Sequence, residues 1–306
     1  MEMQDVTVLA EGLAFPEGPV AMPDGSVVVV EVVGGRLSRV SPDGRVSVVA
    51  TLGGGPNGAA IGPDGAIYVC NNGGLSRQSR TFPAIQRVEP DSGRVDVLYT
   101  ECDGQPLGSP NDLVFDKTGG FWFTEFTGGA LCYARPDGTE IRRVVTRVES
   151  PNGVGLSPDG DVLYWAQTRS RQVHRRHLNG PGDVVDSPGS RVDVLMRGGT
   201  PDRWSVLVGL PGVEELDSLA IDSSGAVCVG TLIDSGITVV SPVDGSYEKY
   251  TLPDHLADGA VTNICFGGPD LRTAYITCSI TGRLVSCRWP RPGLRLAFQA
   301  LPAGGA

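Results

Sequence analysis

Six times along this chain a polar residue occupies the same point of one local pattern, just ahead of a strand–turn–strand unit. The six are Glu17 in FPEGPV, Asn57 in GPNGAA, Asn111 in SPNDLV, Asn152 in SPNGVG, Asp217 in ELDSLA and Asn263 in VTNICF. Each leads into an apolar run, a turn rich in Pro, Asp, Ser and Gly, and a second apolar run. In the second unit, residues 57–62 predict a strand, Pro63-Asp64-Gly65 a hairpin turn and residues 66–70 the returning strand. A third and a fourth strand follow at 85–89 and 94–100. Asp-Gly turns between apolar runs are a strong hairpin signal. They recur at Pro23-Asp24-Gly25, Pro42-Asp43-Gly44, Pro136-Asp137-Gly138 and Pro158-Asp159-Gly160. Four antiparallel strands per unit, in six units spaced by roughly 40–65 residues, predict an all-β, six-bladed β-propeller occupying residues 1–306 as one domain. A β-sandwich has no reason to repeat a polar residue at one slot.

Ring closure requires the two ends of the chain to share a blade. Residues 5–10 precede Glu17 much as 94–100 precede Asn111, so they fill the fourth-strand slot of the last blade, and residues 294–300 compete for that place or add beside it. Two spacings are long. Residues 75–84 form an insertion expected on the face of the repeated polar residues, where it could act as a lid. Residues 180–203 form a second insertion, expected on the opposite face or outer edge.

Composition narrows the partners. Gly 43 is about 14% of the 306 residues, twice the usual ~7%, and its regular recurrence marks turns instead of disorder. A formal charge of −10 without a basic patch argues against nucleic acid. No apolar run approaches the ~20 residues of a membrane span. Residues 1–12 have neither the basic nor the apolar region of a signal peptide. Seven cysteines without C-x-x-C spacing, among them Cys70, Cys228, Cys265 and Cys278 inside strand-like runs, fit buried thiols in a reducing cytoplasm. Three histidines, two of them within 174–177, make a His-based zinc site improbable.

In a propeller the first strand of each blade lines the central channel, so the six slot residues form a ring at one mouth. The second strands return to that mouth and bring Glu31, Asn71, Glu125, Gln167, Thr231 and Ser279 to the rim. Oxygen-bearing side chains of this kind suit a hard divalent cation such as Ca²⁺. Glu17 and Asp217 supply two negative charges, matching one such ion, and would repel each other without it. Asn57 and Asn263 read better as residues that cap turns or hold neighbouring blades together. Glu125 reads equally as a substrate contact or as a solvated strand end.

The runs Phe15-Pro16-Glu17-Gly18-Pro19, Ser150-Pro151-Asn152-Gly153 and Leu219-Ala220-Ile221-Asp222, with the segment from Thr262-Asn263-Ile264-Cys265-Phe266-Gly267 to Thr273, resemble the SMP-30/gluconolactonase/luciferin-regenerating-enzyme family over nearly the whole chain. The resemblance implies a propeller hydrolase that opens sugar lactones with one divalent cation in the channel mouth. It assigns Glu17, Asn152 and Asp217 to the metal. Asn111 matches a residue that contacts substrate, or the metal through water, and that is itself a ligand in related calcium-dependent propellers. The mechanism the resemblance implies is that the metal would polarise the lactone carbonyl and Asp217 would be the general base that takes a proton from water. Ca²⁺ is the expected ion, and an all-oxygen site also accepts Mg²⁺, Mn²⁺ or Zn²⁺.

Two departures bear on substrate. The family often has Arg where Ser109 stands, and Pro-Asp-Gly-Leu-Ala where this chain has Leu216-Asp217-Ser218-Leu219-Ala220. Neither touches the implied metal ligands, but both weaken the case for a polyhydroxylated sugar lactone, so the expected substrate is a sugar lactone or a less polar lactone, with Asn111, Ser109 and Glu125 as its contacts. Two other readings stay open: a metal-dependent hydrolase of another ester class, such as a phosphotriester, and a noncatalytic calcium- or ligand-binding propeller.

Overall fold

The computed structural model describes residues 1–74, 81–185 and 206–302. Its strands form six small antiparallel sheets arranged as the blades of a propeller, plus a two-stranded hairpin, Glu101–Cys102 with Gln105–Pro106, between blades 2 and 3. From the axis outward, blade 1 is Pro16–Ala21, Val27–Glu31, Arg36–Val40 and Val46–Thr51. The inner and second strands of the next four blades are Pro56–Ile61 and Ile67–Asn71, Pro110–Phe115 and Phe121–Glu125, Pro151–Leu156 and Val162–Gln167, and Leu216–Ile221 and Val227–Thr231. Blade 6 is Val261–Gly267, Thr273–Cys278 and Arg283–Arg288, with Thr7–Ala10 as its outermost strand. The N-terminal strand therefore closes the ring, pairing with Arg283–Arg288 as expected.

The blades hold together through apolar surface. Each sheet is apolar on both faces, so stacking it between two neighbours is what removes that surface from water. Buried residues fall into six clusters, each bridging two adjacent blades. Val20, Val28 and Val30 of blade 1 pack on Ile67, Val69 and Val88 of blade 2. At the closure, Ala10, Leu13 and Leu284 pack on Val27, Val29 and Val40. All seven cysteines are free thiols; Cys70, Cys228 and Cys278 are buried, while Cys265 is half-buried. No helix among the described residues is long and apolar enough to cross a membrane.

The tail departs from expectation. With Thr7–Ala10 already on the edge of blade 6, residues 294–300 have no strand to pair with and instead run across the channel end opposite the repeated polar residues. Leu294 N donates to Ile221 O, Gln299 Nε2 donates to Phe266 O, and Phe298 meets Phe115 edge-on with ring centroids 5.8 Å apart. Between this tail and the polar mouth lies a cavity of roughly 100 Å³, walled by Val20, Leu113, Val154, Leu219 and Ile264 of the inner strands.

Of the two insertions, residues 75–80 lie outside the described residues, and Thr81, where the chain returns, bonds Gly73 O on the polar-mouth side. In blade 4 the third strand, Gln172–Gly180, continues into Asp183–Val184 at the far end from that mouth, and Val206–Gly209 returns as fourth strand. Residues 186–205 lie outside the described residues.

Candidate metal centre and active site at one channel mouth

Every inner strand carries a register irregularity at the polar slot. Pro16 pairs with Glu31 and Val20 with Val28; Pro110 pairs with Glu125 and Leu113 with Phe123; Leu216 pairs with Thr231 and Leu219 with Val229. Each pairing gains one residue on the inner strand, the signature of a β-bulge, which re-aims side chains away from the regular pleat. The residue before the proline is bent as well. Phe15, Ser109 and Ser150 have φ of 61°, 59° and 37°. Such left-handed backbone at non-glycine residues is uncommon and clusters at functional sites. Sequence thus fixes a kink, then Pro, then a bulge, and the bulge delivers the polar side chain to the mouth.

In blade 6 the register is one residue out of step with the sequence pattern. Val261 pairs with Cys278, and Cys278 pairs with Arg283 just as Glu31 pairs with Arg36. Thr262, not Asn263, therefore stands in the slot, and Cys278, not Ser279, ends the second strand. Asn263 occupies the second bulge position, which is Gly18, Gly58 and Gly153 in blades 1, 2 and 4. A Cβ at Gly18 would lie 2.6 Å from Asn57 O, one at Gly58 2.6 Å from Asn111 O, and one at Gly153 2.5 Å from Leu219 N. Glycine there lets adjacent inner strands approach. Asp112, Ser218 and Asn263 instead place side chains at that position.

The mouth therefore gathers three carboxylates, Glu17, Asp112 and Asp217, from alternate blades. Glu17 accepts from Gly18 N at 2.8 Å and from Asn263 Nδ2 at 3.0 Å through the same oxygen, Oε2. Asp112 Oδ1 accepts from Leu113 N at 2.9 Å, and Ser218 also bonds the carboxylate. Asn152 bonds Asp217 and donates Nδ2 to Thr168 Oγ1 at 3.1 Å. Burial pushes the Glu17 carboxyl up to about 7, partly offset by its Asn263 and Gly18 bonds. Burial, then the neighbouring Glu17 charge, push Asp112 up to about 7. The same two causes hold Asp217 well above the usual carboxylate range. Protein surrounds all three, but only Asp217 keeps appreciable solvent contact.

Two carboxamide oxygens complete the set. Asn57 Oδ1 and Asn111 Oδ1 are buried and have no hydrogen-bond partner. An unmet buried acceptor costs about 1–3 kcal/mol, and buried polar groups are rarely left so. Orphaned neutral oxygens beside mutually repelling carboxylates fit a hard cation, which would answer both. Among the described residues no three His, Cys, Asp or Glu side chains form a metal-holding group by themselves. An ion here would need the carboxamides as well.

A family model described as the SMP-30/gluconolactonase/LRE-like region matches residues 15–280, from the kink before Glu17 to just past the second strand of blade 6. The chain belongs to this family. It is 29% identical over 206 residues to the lactonase drp35 of Staphylococcus haemolyticus, a match covering 65% of this chain and 60% of that protein. The chain thus spans about 60% of the length of that relative. A gluconolactonase structure from Xanthomonas campestris superposes with a TM-score of 0.74 at 22% identity, covering 94% of this chain and 91% of its own. The calcium-binding protein regucalcin of Agrobacterium tumefaciens superposes with a TM-score of 0.71 at 16% identity, covering 94% and 97%.

Within the SMP-30/gluconolactonase framework, the residues expected from sequence fall as follows. Glu17, Asn111, Asn152 and Asp217 share the mouth. Asn263 holds Glu17, as a blade-binding residue would, and its own Oδ1 accepts from Ile264 N at 2.8 Å. Asn57 was expected only to cap or to bind a neighbouring blade, yet its carbonyl oxygen has no such partner. Ser109 is half-buried at the rim, and its Oγ accepts from Thr127 Oγ1 at 3.0 Å. Glu125, expected at the substrate or in solvent, is fully buried. Its Oε2 accepts from Arg143 Nε at 2.6 Å, and its Oε1 from Arg143 Nη2 at 3.0 Å and Gly108 N at 2.7 Å. Glu31 and Asn71 do the same work in blades 1 and 2, accepting from Ala14 N and Gly55 N. These second-strand ends anchor the loops that lead into the slots. Sequence alone does not single out Asp112, and it shows Ser218 only as a departure from the family motif. Their signal was a side chain at the position where three other repeats have glycine.

Proposed function

We propose that the protein is a divalent-cation-dependent hydrolase that opens a lactone ring. The observation that carries this reading is the convergence of three carboxylates, two of them buried, with two unpartnered carboxamide oxygens at one open mouth. Membership of a family that includes lactonases supports the reaction class. Glu17, Asn111, Asn152 and Asp217 would hold the ion, with Asn57 Oδ1 as a further oxygen. Ca²⁺ fits these all-oxygen donors best, and Mg²⁺, Mn²⁺ and Zn²⁺ are the alternatives to be compared. When bound, the ion supplies positive charge that draws electron density from the ester carbonyl.

The chain's own residues divide the remaining work. Of the three carboxylates only Asp217 keeps appreciable solvent access, which lets it meet the attacking water and act as its base. It takes a proton from water as the water oxygen bonds the carbonyl carbon. It returns that proton to the ring oxygen as the acyl C–O bond breaks, leaving a hydroxy acid. Asn152, oriented by Thr168, fixes Asp217 by a hydrogen bond. Asn263 and Gly18 N fix Glu17. Asn111, set by the loop that Glu125 anchors, orients the ester.

The test is a proton-release assay of chelator-stripped protein over a panel of lactones and linear esters, repeated with each of the four ions. Cation-dependent acid release from lactones is expected. Turnover confined to another ester class would move the substrate. No turnover with any ion would leave a binding propeller.

A further inference from the structure

The rim above this mouth has two unlike halves. In successive blades the chain leaving the second strand rises beyond the sheet and bonds the segment ahead of the inner strand. Val33 N donates to Ala14 O and Thr127 N to Gly108 O within their own blades, while Ile233 N of blade 5 donates to Gly259 O, ahead of the inner strand of blade 6. Two residues past the second strand, at one equivalent position, stand Val33, Thr127, Arg169, Ile233 and Ile280 in blades 1, 3, 4, 5 and 6. Blade 2 carries its insertion at this point. The returning end brings Phe82 to the rim, with Thr81 bonded to Gly73 O and packed against Gly53.

Blades 5, 6, 1 and 2 are consecutive around the ring. Over this arc the rim residues are apolar and open to solvent: Ile233 is 53% exposed, Ile280 68%, Val33 64% and Phe82 83%. Over blades 3 and 4 the rim is polar. Thr127 bonds Ser109, and the Arg169 guanidinium covers the ring of Phe126 at 5.7 Å from its centroid. Single exposed apolar residues need no account. A run of them over four adjacent blades, three in register and Phe82 at the end of the insertion, bordering a polar site, does. A sugar lactone would present hydroxyls to this arc and gain nothing from it.

We propose that the arc formed by Ile233, Ile280, Val33 and Phe82 receives the hydrocarbon substituent of an alkyl- or aryl-substituted lactone, whose ester lies over the polar ring. The preferred substrates are then amphiphilic, with their apolar part over blades 5, 6, 1 and 2. This rests on the hydrolase reading above. It also gives Ser109 a consistent place, since no cation is needed at the rim to bind hydroxyls.

The experiment measures kcat/KM of the Ca²⁺-reloaded protein on γ-lactones bearing straight alkyl substituents of none to six carbons. Partial burial of the chain predicts a rise of about twofold per methylene, below the roughly fourfold of full burial. The triple variant Val33→Asn, Ile233→Asn, Ile280→Asn should cut the ratio of hexyl to unsubstituted rates about tenfold, mainly through KM. Phe82→Ser should cut it less. All four side chains are exposed, so folding should survive. A flat wild-type series, or a triple variant with the wild-type slope, overturns the arc while leaving lactone hydrolysis standing. No hydrolysis of any member overturns both. Wild-type self-association that the triple variant abolishes would reassign the arc to a contact between copies and overturn the proposal.

Discussion

Glu17 lets the strain in this mouth be measured directly. Its carboxyl is moved by burial from an ordinary 4.5 to about 7, with Asp112 and Asp217 close enough to share the effect. Between those two pH values the native protein, stripped of cations, holds a proton on Glu17 that the unfolded chain has released. Stability then falls as pH rises, because the native state binds more protons. At about 1.4 kcal/mol per tenfold change in proton affinity, the Glu17 share of this loss is about 3 kcal/mol, complete by roughly pH 8. Glu17→Gln removes that share. In chelator the variant should match wild type near pH 4.5 and exceed it by up to about 3 kcal/mol at pH 8. A saturating cation should reverse the order, since a ligand at 1,000 times its Kd adds about 4.1 kcal/mol to a protein that binds it, and little to one that has lost a ligand. Urea denaturation at the two pH values, with chelator and with Ca²⁺, provides all the comparisons. Carboxylates held low by surface partners, such as Asp24 and Asp64, titrate below this window. A chelated wild type whose stability is flat or rises from pH 4.5 to 8 would refute the buried-charge argument. So would a Glu17→Gln variant that is no more stable at pH 8.

The other predictions concern separate parts of the same mouth. Asp217→Asn should lower kcat on any lactone turned over by about 10²- to 10⁴-fold, the usual worth of a positioned base, while calorimetry still detects the cation; wild-type kcat would remove Asp217 from proton transfer. In chelator, Asn57→Ala should cost no stability and should raise it by up to about 1–3 kcal/mol, because it removes a buried acceptor that no partner meets. Asn263→Ala, which strips Glu17 of a bond, should cost about 1.5–3 kcal/mol near pH 8, and equal effects in the two variants would contradict the assignment. Arg143→Ala leaves Glu125 fully buried with Gly108 N as its remaining donor and should cost about 3–5 kcal/mol by chemical denaturation. A loss below about 1 kcal/mol would mean that Glu125 is free for substrate after all.

The propeller was legible because its signals are local. An Asp-Gly turn specifies a hairpin wherever it stands, and Thr7–Ala10 could be placed in blade 6 from its spacing to Glu17 alone. The site was legible only in part, because its geometry depends on a single inserted residue per inner strand. Counting from the motif puts Asn263 beside Glu17, Asn57 and Asp217 in an equivalent slot, whereas pairing with Thr277 and Cys278 moves it one place along. The roles of Asn263 and Asn57 diverge through that shift: one reaches across to hold Glu17, and the other presents an oxygen that nothing in the chain satisfies. Glu125 was misjudged for a related reason, since its partner Arg143 lies on the fourth strand, eighteen residues on, where sequence spacing carries no information about side-chain reach. Residues 294–300 erred in the same sense: their apolar character was evident, but whether they met a sheet edge or a channel end depended on an edge already taken. On the proposed reading, the bulge also lets one fold keep the cation site while the rim sets the substrate. The slot residues are set by strand register, deep in the ring, while Val33, Ile233 and Ile280 sit on loops beyond it, where substitution leaves the register intact.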